Sequence, residues 1–184
     1  MALVELGAAR VHAVDTSEAL LGELEAHADG HPVTAHRGDL MEFDRMVGQP
    51  ADTVVCMGDT LTHLPSPDDV TALIGRIAAG LRPGGRVVLS WRDLTRTPAG
   101  LDRFISVRTT DDRVMMCFLE DEGERVLVHD LVHVREDDGW RFDASAYPKL
   151  KLAPDRVRAE LADAGLDPDF EEFVRGMTVM AASK

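Results

Sequence analysis

The sequence is poor in several things at once. Aromatic side chains make up 5% of its 184 residues, with one tyrosine among them, and there are two cysteines. Cys56 and Cys117 both lie in apolar, β-prone runs, which reads as two buried, reduced thiols rather than a disulfide. Positive charge is also scarce. Twenty Lys and Arg face 33 Asp and Glu, a formal net charge of −13. That balance excludes the electrostatic footprint needed for a nucleic-acid backbone or an anionic membrane. Apolar runs stop well short of membrane-spanning length. The N-terminus has no cationic segment ahead of an apolar one, so a cytoplasmic protein without a signal peptide is expected. Internal repeats, low-complexity tracts and linkers are missing too. One domain covering 1–184 is expected, with a cofactor-binding α/β part over 1–94, an antiparallel meander over 101–150, and a last helix and closing strand over 151–184.

The best-defined stretch is 51–93. Thr53-Val54-Val55-Cys56-Met57 is an uncharged apolar run, as expected of a strand buried on both faces. Gly58 breaks it, and 59–65 follows as a polar loop. Ser66 then suits a helix N-cap, with Pro67, Asp68 and Asp69 in the first turn. Val70, Leu73, Ile74, Ile77, Ala78 and Leu81 share one face at helical spacing. Pro83-Gly84-Gly85 should stop this helix, and 86–91 is a second buried strand. The unit is βαβ, so its strands should be parallel with a right-handed crossover. Ligands of such sheets sit beyond the strand C-termini, which here carry Gly58, Asp59, His63, Arg92 and Asp93.

Upstream, 1–6 reads as a helix fragment closed by Gly7, and 10–14 as a strand with Asp15 at its end. A carboxylate there can accept two charge-assisted hydrogen bonds from a ribose diol, or it can cap the helix that follows over 18–28. Thr16 and Ser17 offer themselves as alternative caps. A weaker strand over 32–36 leads to Gly38-Asp39-Leu40, where a carboxylate can accept an exocyclic adenine amine while Leu40 packs on the ring. The same residues also suit a simple turn. A short helix or turn spans 42–47.

Downstream of Asp93 the helical period gives way to period-2 runs over 104–109, 113–120, 125–135 and 140–147. Asp111-Asp112, Asp121-Glu122-Gly123 and Asp137-Asp138-Gly139 separate them as hairpin turns. The third run puts Val126, Val128, Val132 and Val134 on one face and Leu127, His129, Leu131 and His133 on the other. Four residues of strand span about 13 Å, too far for His129 and His133 to share an ion, and no metal is expected. A last helix over 155–164, a segment at 170–173 and a closing antiparallel strand over 177–182 complete the chain.

A strand ending in Asp15, then Gly38-Asp39-Leu40, the 56–65 loop, and Leu81-Arg82-Pro83-Gly84-Gly85 before a strand occur in the order found in class I S-adenosylmethionine-dependent methyltransferases. The chain resembles that family over nearly its whole length. The resemblance implies a Rossmann-like α/β sheet with helices on both faces and an antiparallel last strand. It implies S-adenosylmethionine as cofactor, with S-adenosylhomocysteine as product. It also implies Asp15 at the ribose, Asp39 and Leu40 at the adenine, Met57 and Gly58 at the methionine part, and Thr16 and His63 among the cofactor-binding residues. A closer likeness is to glycine N-methyltransferase and related small-molecule enzymes. Met57-Gly58-Asp59-Thr60, His63-Leu64-Pro65, Arg92 and Tyr147-Pro148 stand where those carry Leu-Gly-Asn-Ser, His-Leu-Pro, an Arg and a Tyr. Asp59, Arg92 and Tyr147 are then the substrate-binding positions. Asp59 in place of Asn favours an ammonium over a carboxylate on the substrate.

The family's first strand and its G-x-G-x-G loop would precede residues 1–6. The fold expected is therefore the methyltransferase sheet without that strand. The strands ending at Asp15 and Met57 should then pair directly, or a second chain should fill the position, as in a homodimer. The function implied is methyl transfer to a small-molecule acceptor at an amine. Asp59 is the first candidate proton acceptor and His63 the second. The alternatives are a truncated, non-catalytic methyltransferase-like binding module and a nicotinamide-binding Rossmann protein. Gly38-Asp39-Leu40 and the antiparallel C-terminal part argue against the last.

Overall fold

A computed structural model describes residues 2–184, so Met1 of the expected first helix lies outside it. The chain divides into two compact units, Met1–Ala51 and Asp52–Lys184. The first unit alternates helix and strand. It comprises α1 (Ala2–Glu5), β1 (Val11–Asp15), α2 (Glu18–Ala28), β2 (Val33–Arg37), a 3-10 turn at Leu40–Glu42 and α3 (Phe43–Val47). β1 and β2 pair in parallel, with Val11 opposite Val33 and Asp15 opposite Arg37. Ser17 caps α2, its hydroxyl accepting from the Leu20 N–H at 3.3 Å.

The second unit is built on β3 (Ala51–Cys56), α4 (Pro67–Gly80), β4 (Leu81–Trp91), β5 (Phe104–Thr109), β6 (Arg113–Asp121), β7 (Arg125–Glu136), β8 (Gly139–Leu150), α5 (Pro154–Asp163), β9 (Asp167–Val174) and β10 (Met177–Ser183). One sheet has the order β3-β4-β10-β9, with β10 antiparallel to both neighbours. The other is the meander β5-β6-β7-β8, antiparallel throughout. A direct β1–β3 pairing is not among the described strand pairs, and β3 hydrogen-bonds to β4 instead.

The core sits where α4 and α5 pack on the first of these sheets. Val70, Leu73, Ile74 and Ile77 of α4 are buried with Val87, Leu89 and Trp91 of β4, Val157 and Leu161 of α5, and Met180 of β10. Each such side chain contributes roughly 1.5–3 kcal/mol by leaving water. Trp91 keeps its polar edge satisfied by donating Nε1–H to the Leu152 carbonyl at 2.8 Å. Ser66 caps α4 as its sequence suggests, accepting from the Asp69 N–H at 3.2 Å. Among the described residues, no helix is long and apolar enough to cross a membrane.

Two expectations for this unit need correction. β3 is not buried on both faces: Thr53, Val55 and Met57 are exposed. It is the outer strand of its sheet, and Thr53 and Val55, which share one face by the strand's period of two, are left uncovered. Pro83-Gly84-Gly85 is not a stop turn either. β4 begins at Leu81 directly after α4 and runs through these residues. Gly84, at φ +74°, adopts a conformation costly for other residues. Its N–H donates to the Lys184 carbonyl, and the Lys184 N–H donates to the Gly85 carbonyl, each at 2.9 Å. The end of the chain thus extends the β4–β10 pairing.

Candidate active site

The loop after β3 turns at Gly58, whose φ of +75° explains the glycine. A Cβ there would meet nothing within 4 Å, so backbone conformation and not space is the constraint. Its N–H donates to the hydroxyl of buried Ser90 on β4 at 2.8 Å. A 3-10 turn over Thr60–His63 follows. Thr62 donates to the Asp59 carbonyl from both its N–H, at 2.9 Å, and its hydroxyl, at 2.7 Å. Leu61, Thr62 and Leu64 are buried, so this loop is anchored in the core, contrary to its reading as simply polar. The meander reaches the same loop, since Arg125 donates to the Pro65 carbonyl.

These restraints present the Asp59 side chain, which is 8% exposed. Its Oδ1 accepts from the Arg92 N–H at 2.9 Å. Its Oδ2 accepts from the Arg92 guanidinium and from the Lys149 ammonium, the latter at 2.7 Å. Lys149 has a 10%-exposed side chain, whereas that of Arg92 is half open to solvent. Burial opposes ionisation of Asp59. The Lys149 hydrogen bond, the Arg92 N–H and the two positive charges outweigh it and hold the carboxyl below the ordinary carboxylate value.

Tyr147 adjoins this cluster. Its ring lies 5.3 Å from that of His63, centroid to centroid, and the Lys149 ammonium stands 5.6 Å from its centre. Its hydroxyl lies 3.5 Å from Asp130 Oδ1. Cys117 donates to the same oxygen at 3.0 Å. Burial and then the Asp130 hydrogen bond and charge push the Cys117 thiol up to about 11. Burial and the same carboxylate push Tyr147 up to about 12. His63 is shifted the other way. Partial burial and the Lys149 charge lower its pKa against a smaller opposing pull from Asp59, so its imidazole is neutral at pH 7.

In the first unit, Asp15 and Asp39 stand at the C-terminal ends of two paired parallel strands. The Gly38 N–H donates to the Asp15 carbonyl at 3.1 Å, which ties the two ends together. Asp15 Oδ1 accepts from the Ser17 N–H at 2.8 Å. Asp39 Oδ1 accepts from the Met41 N–H, also at 2.8 Å. Each carboxylate therefore orders its own loop through one oxygen and presents a second. Thr16 is exposed and Leu40 half-buried at these ends.

The structure thus gathers Gly58, Asp59, His63, Arg92 and Tyr147 in the second unit, and Asp15, Thr16, Asp39 and Leu40 in the first. Met57 is exposed at the end of β3. Two participants went unread in the sequence. Lys149 shares the Tyr147 face of β8 by the strand's period of two. Asp130 interrupts the valine stripe Val126, Val128, Val132 and Val134 of β7, a break in apolar pattern that marks a polar group facing the same way. His129, on the other face, pairs with Glu120, and His133 lies against Phe142 with its ring tilted.

These features define an α/β methyltransferase fold of mixed sheets with an antiparallel C-terminal part. The sequence family described as "Methyltransferase domain" matches residues 1–85. The carboxy-S-adenosyl-L-methionine synthase of Vibrio atlanticus (strain LGP32) is 37% identical over 84 residues, which is 44% of this chain and 33% of that protein. The matched stretch is thus about a third of that relative's length. Among solved structures, the CcbJ methyltransferase of Streptomyces caelestis superposes with a TM-score of 0.82 at 21% identity, over 98% of this chain and 76% of the other. CalS10 with S-adenosylmethionine bound, an amino pentose methyltransferase of Micromonospora echinaspora, superposes with a TM-score of 0.76 at 21% identity, over the same shares.

Replacing Asp59 by Asn should leave the buried Lys149 ammonium without its counter-ion and cost about 3–5 kcal/mol, measured by denaturant unfolding at pH 7. Because the folded pKa of Asp59 lies below its unfolded value of about 3.8, its contribution is complete above that value and is lost as pH falls through the folded pKa. The difference between the two proteins should therefore shrink steeply below pH 4 and stay flat from pH 5 to 7.

Proposed function

We propose that this protein is an S-adenosylmethionine-dependent methyltransferase acting on a small molecule at an amine. The observation that carries the reading is the pair Asp15 and Asp39 at the ends of the parallel strands β1 and β2, each with one oxygen used by its own loop and one left for a ligand. That geometry fits an adenosyl group. Asp15 would hold the ribose diol by charge-assisted hydrogen bonds, with Thr16 beside it. Asp39 would accept the adenine amine, with Leu40 against the ring. Met57 and Gly58 would hold the methionine portion. The glycine N-methyltransferase likeness of the 57–65 loop and of Arg92 supports the same reading.

When bound, the cofactor supplies an electrophilic methyl group on sulfonium sulfur, and the protein's part is alignment, water exclusion and proton management. An amine attacks only as the free base, so a proton acceptor near it helps. The structure argues against Asp59 in that role. Its oxygens are taken by Arg92 and Lys149 and its proton affinity is depressed. His63, neutral at pH 7 and beside Tyr147, takes the role instead. Arg92, Asp59 and Lys149 form the floor of the acceptor site and Tyr147 a wall. The amine preference draws support from the amino pentose methyltransferase with the same fold.

Calorimetric titration with S-adenosylhomocysteine tests this directly. Binding with Kd on the order of micromolar, weakened at least about tenfold in Asp15→Ala, is expected. Absence of binding at millimolar ligand would sink the proposal. For the proton acceptor, methylation of a panel of amino sugars should retain its rate on the acid side below pH 6.5, because the lowered His63 pKa keeps the imidazole neutral there. His63→Gln should lower kcat by about 10²-fold. A rate that instead rises only above pH 7 would rule His63 out.

A further inference from the structure

The second unit contains two carboxylates in the neighbourhood of Tyr147, and they are held in opposite ways. Asp59 is spent, with three N–H donors from two cationic residues on its two oxygens. Asp130 is not spent. One of its oxygens accepts the Cys117 thiol and faces the Tyr147 hydroxyl at 3.5 Å, while the other has no partner among the described residues. No cation is paired with it among the described ion pairs. It sits on the face of the meander that carries Cys117 across from it on β6 and, on β8, Tyr147 and Lys149. Val128 and Leu119, packed with Tyr147 and Cys117, make this flank of the site apolar.

A carboxylate on an apolar flank beside a tyrosine ring has the chemistry of an ammonium receptor. It offers an unshared acceptor oxygen to one cation. We propose that Asp130, not Asp59, receives the ammonium of the methyl acceptor and sets the protein's preference for amines over alcohols. This deepens the reading above and rests on it. Lys149 and Arg92 occupy both oxygens of Asp59 and leave Asp130 as the carboxylate with an oxygen to offer a cationic substrate. The ammonium gives its proton to His63, the freed lone pair forms the N–C bond as the C–S bond breaks onto sulfur, and the product amine leaves as an ammonium.

The test compares 4-amino-4-deoxy-L-arabinose with L-arabinose as probes, by calorimetry on the full chain saturated with S-adenosylhomocysteine. The wild type should prefer the amine. Asp130→Asn should reduce that preference at least about tenfold with S-adenosylhomocysteine affinity unchanged, the size expected for one lost charge-assisted bond. Asp130→Glu, which keeps the charge, should retain a preference. Equal binding of the two sugars by the wild type would overturn the inference, as would an amine preference unaltered in Asp130→Asn. Failure of the wild type to bind S-adenosylhomocysteine would instead strike the methyltransferase reading itself, so the two failures are told apart by the first titration. If Asp130→Asn does not fold, the Glu variant decides, because loss of the preference with S-adenosylhomocysteine binding intact would contradict a charge-based role.

Discussion

The second unit depends on one carboxylate held between two cations. Asp59 joins the loop after β3 to the end of β4 through Arg92, and to the meander through Lys149. Removing a carboxylate and an ammonium from water costs several kcal/mol for each ion, and their attraction repays this only when the geometry is good and the remaining hydrogen-bonding capacity is used. Both conditions are met here, since both Asp59 oxygens are occupied. The pair therefore contributes less by net stabilisation than by registration. Lys149 is a residue of the meander and Asp59 one of the loop, so this pair ties the position of one to that of the other.

That constraint reorganises the chemistry around it. With Asp59 neutralised, the nearby groups divide by what they can still do. His63 is neutral and able to accept a proton. Tyr147 stays protonated at any ordinary pH and keeps its hydroxyl as a hydrogen-bond donor towards Asp130. Asp130 keeps an open oxygen. A site of this kind separates structural charge from reactive charge. The locked carboxylate sets geometry, and the groups with shifted proton affinity or an unshared oxygen are the ones left free to react. The two carboxylates at the strand ends of the first unit, Asp15 and Asp39, follow a similar logic on a smaller scale, because each orders its loop with one oxygen.

Much of this was legible in the sequence, and the failures have physical causes. The meander's strands agree with the period-2 runs to within a few residues, because short hairpins with acidic turns, two of them containing glycine, leave little choice of register. The α4 face was readable because helical spacing and a Ser-Pro start agree. β3 misled because an uncharged apolar run looks alike in a central and an outer strand, and only the sheet order decides. Burial of Leu61 and Leu64 is invisible in the sequence because a 3-10 turn of four residues has no period to detect. Asp59 was readable as the key position, but not its role. Its partner Lys149 is 90 residues away in sequence, and no local pattern announces a contact at that separation.

Asp59 stands in this structure as a charged strut and not a proton acceptor. The most direct measurement is a carbon-13 NMR titration of the Asp59 carboxyl group. The account predicts a midpoint below the ordinary 3.8, moving upward in Lys149→Met as one of its two cationic partners is removed. A midpoint at or above the ordinary value in the wild type, or one that ignores the loss of Lys149, would contradict it and return Asp59 to the list of candidate bases.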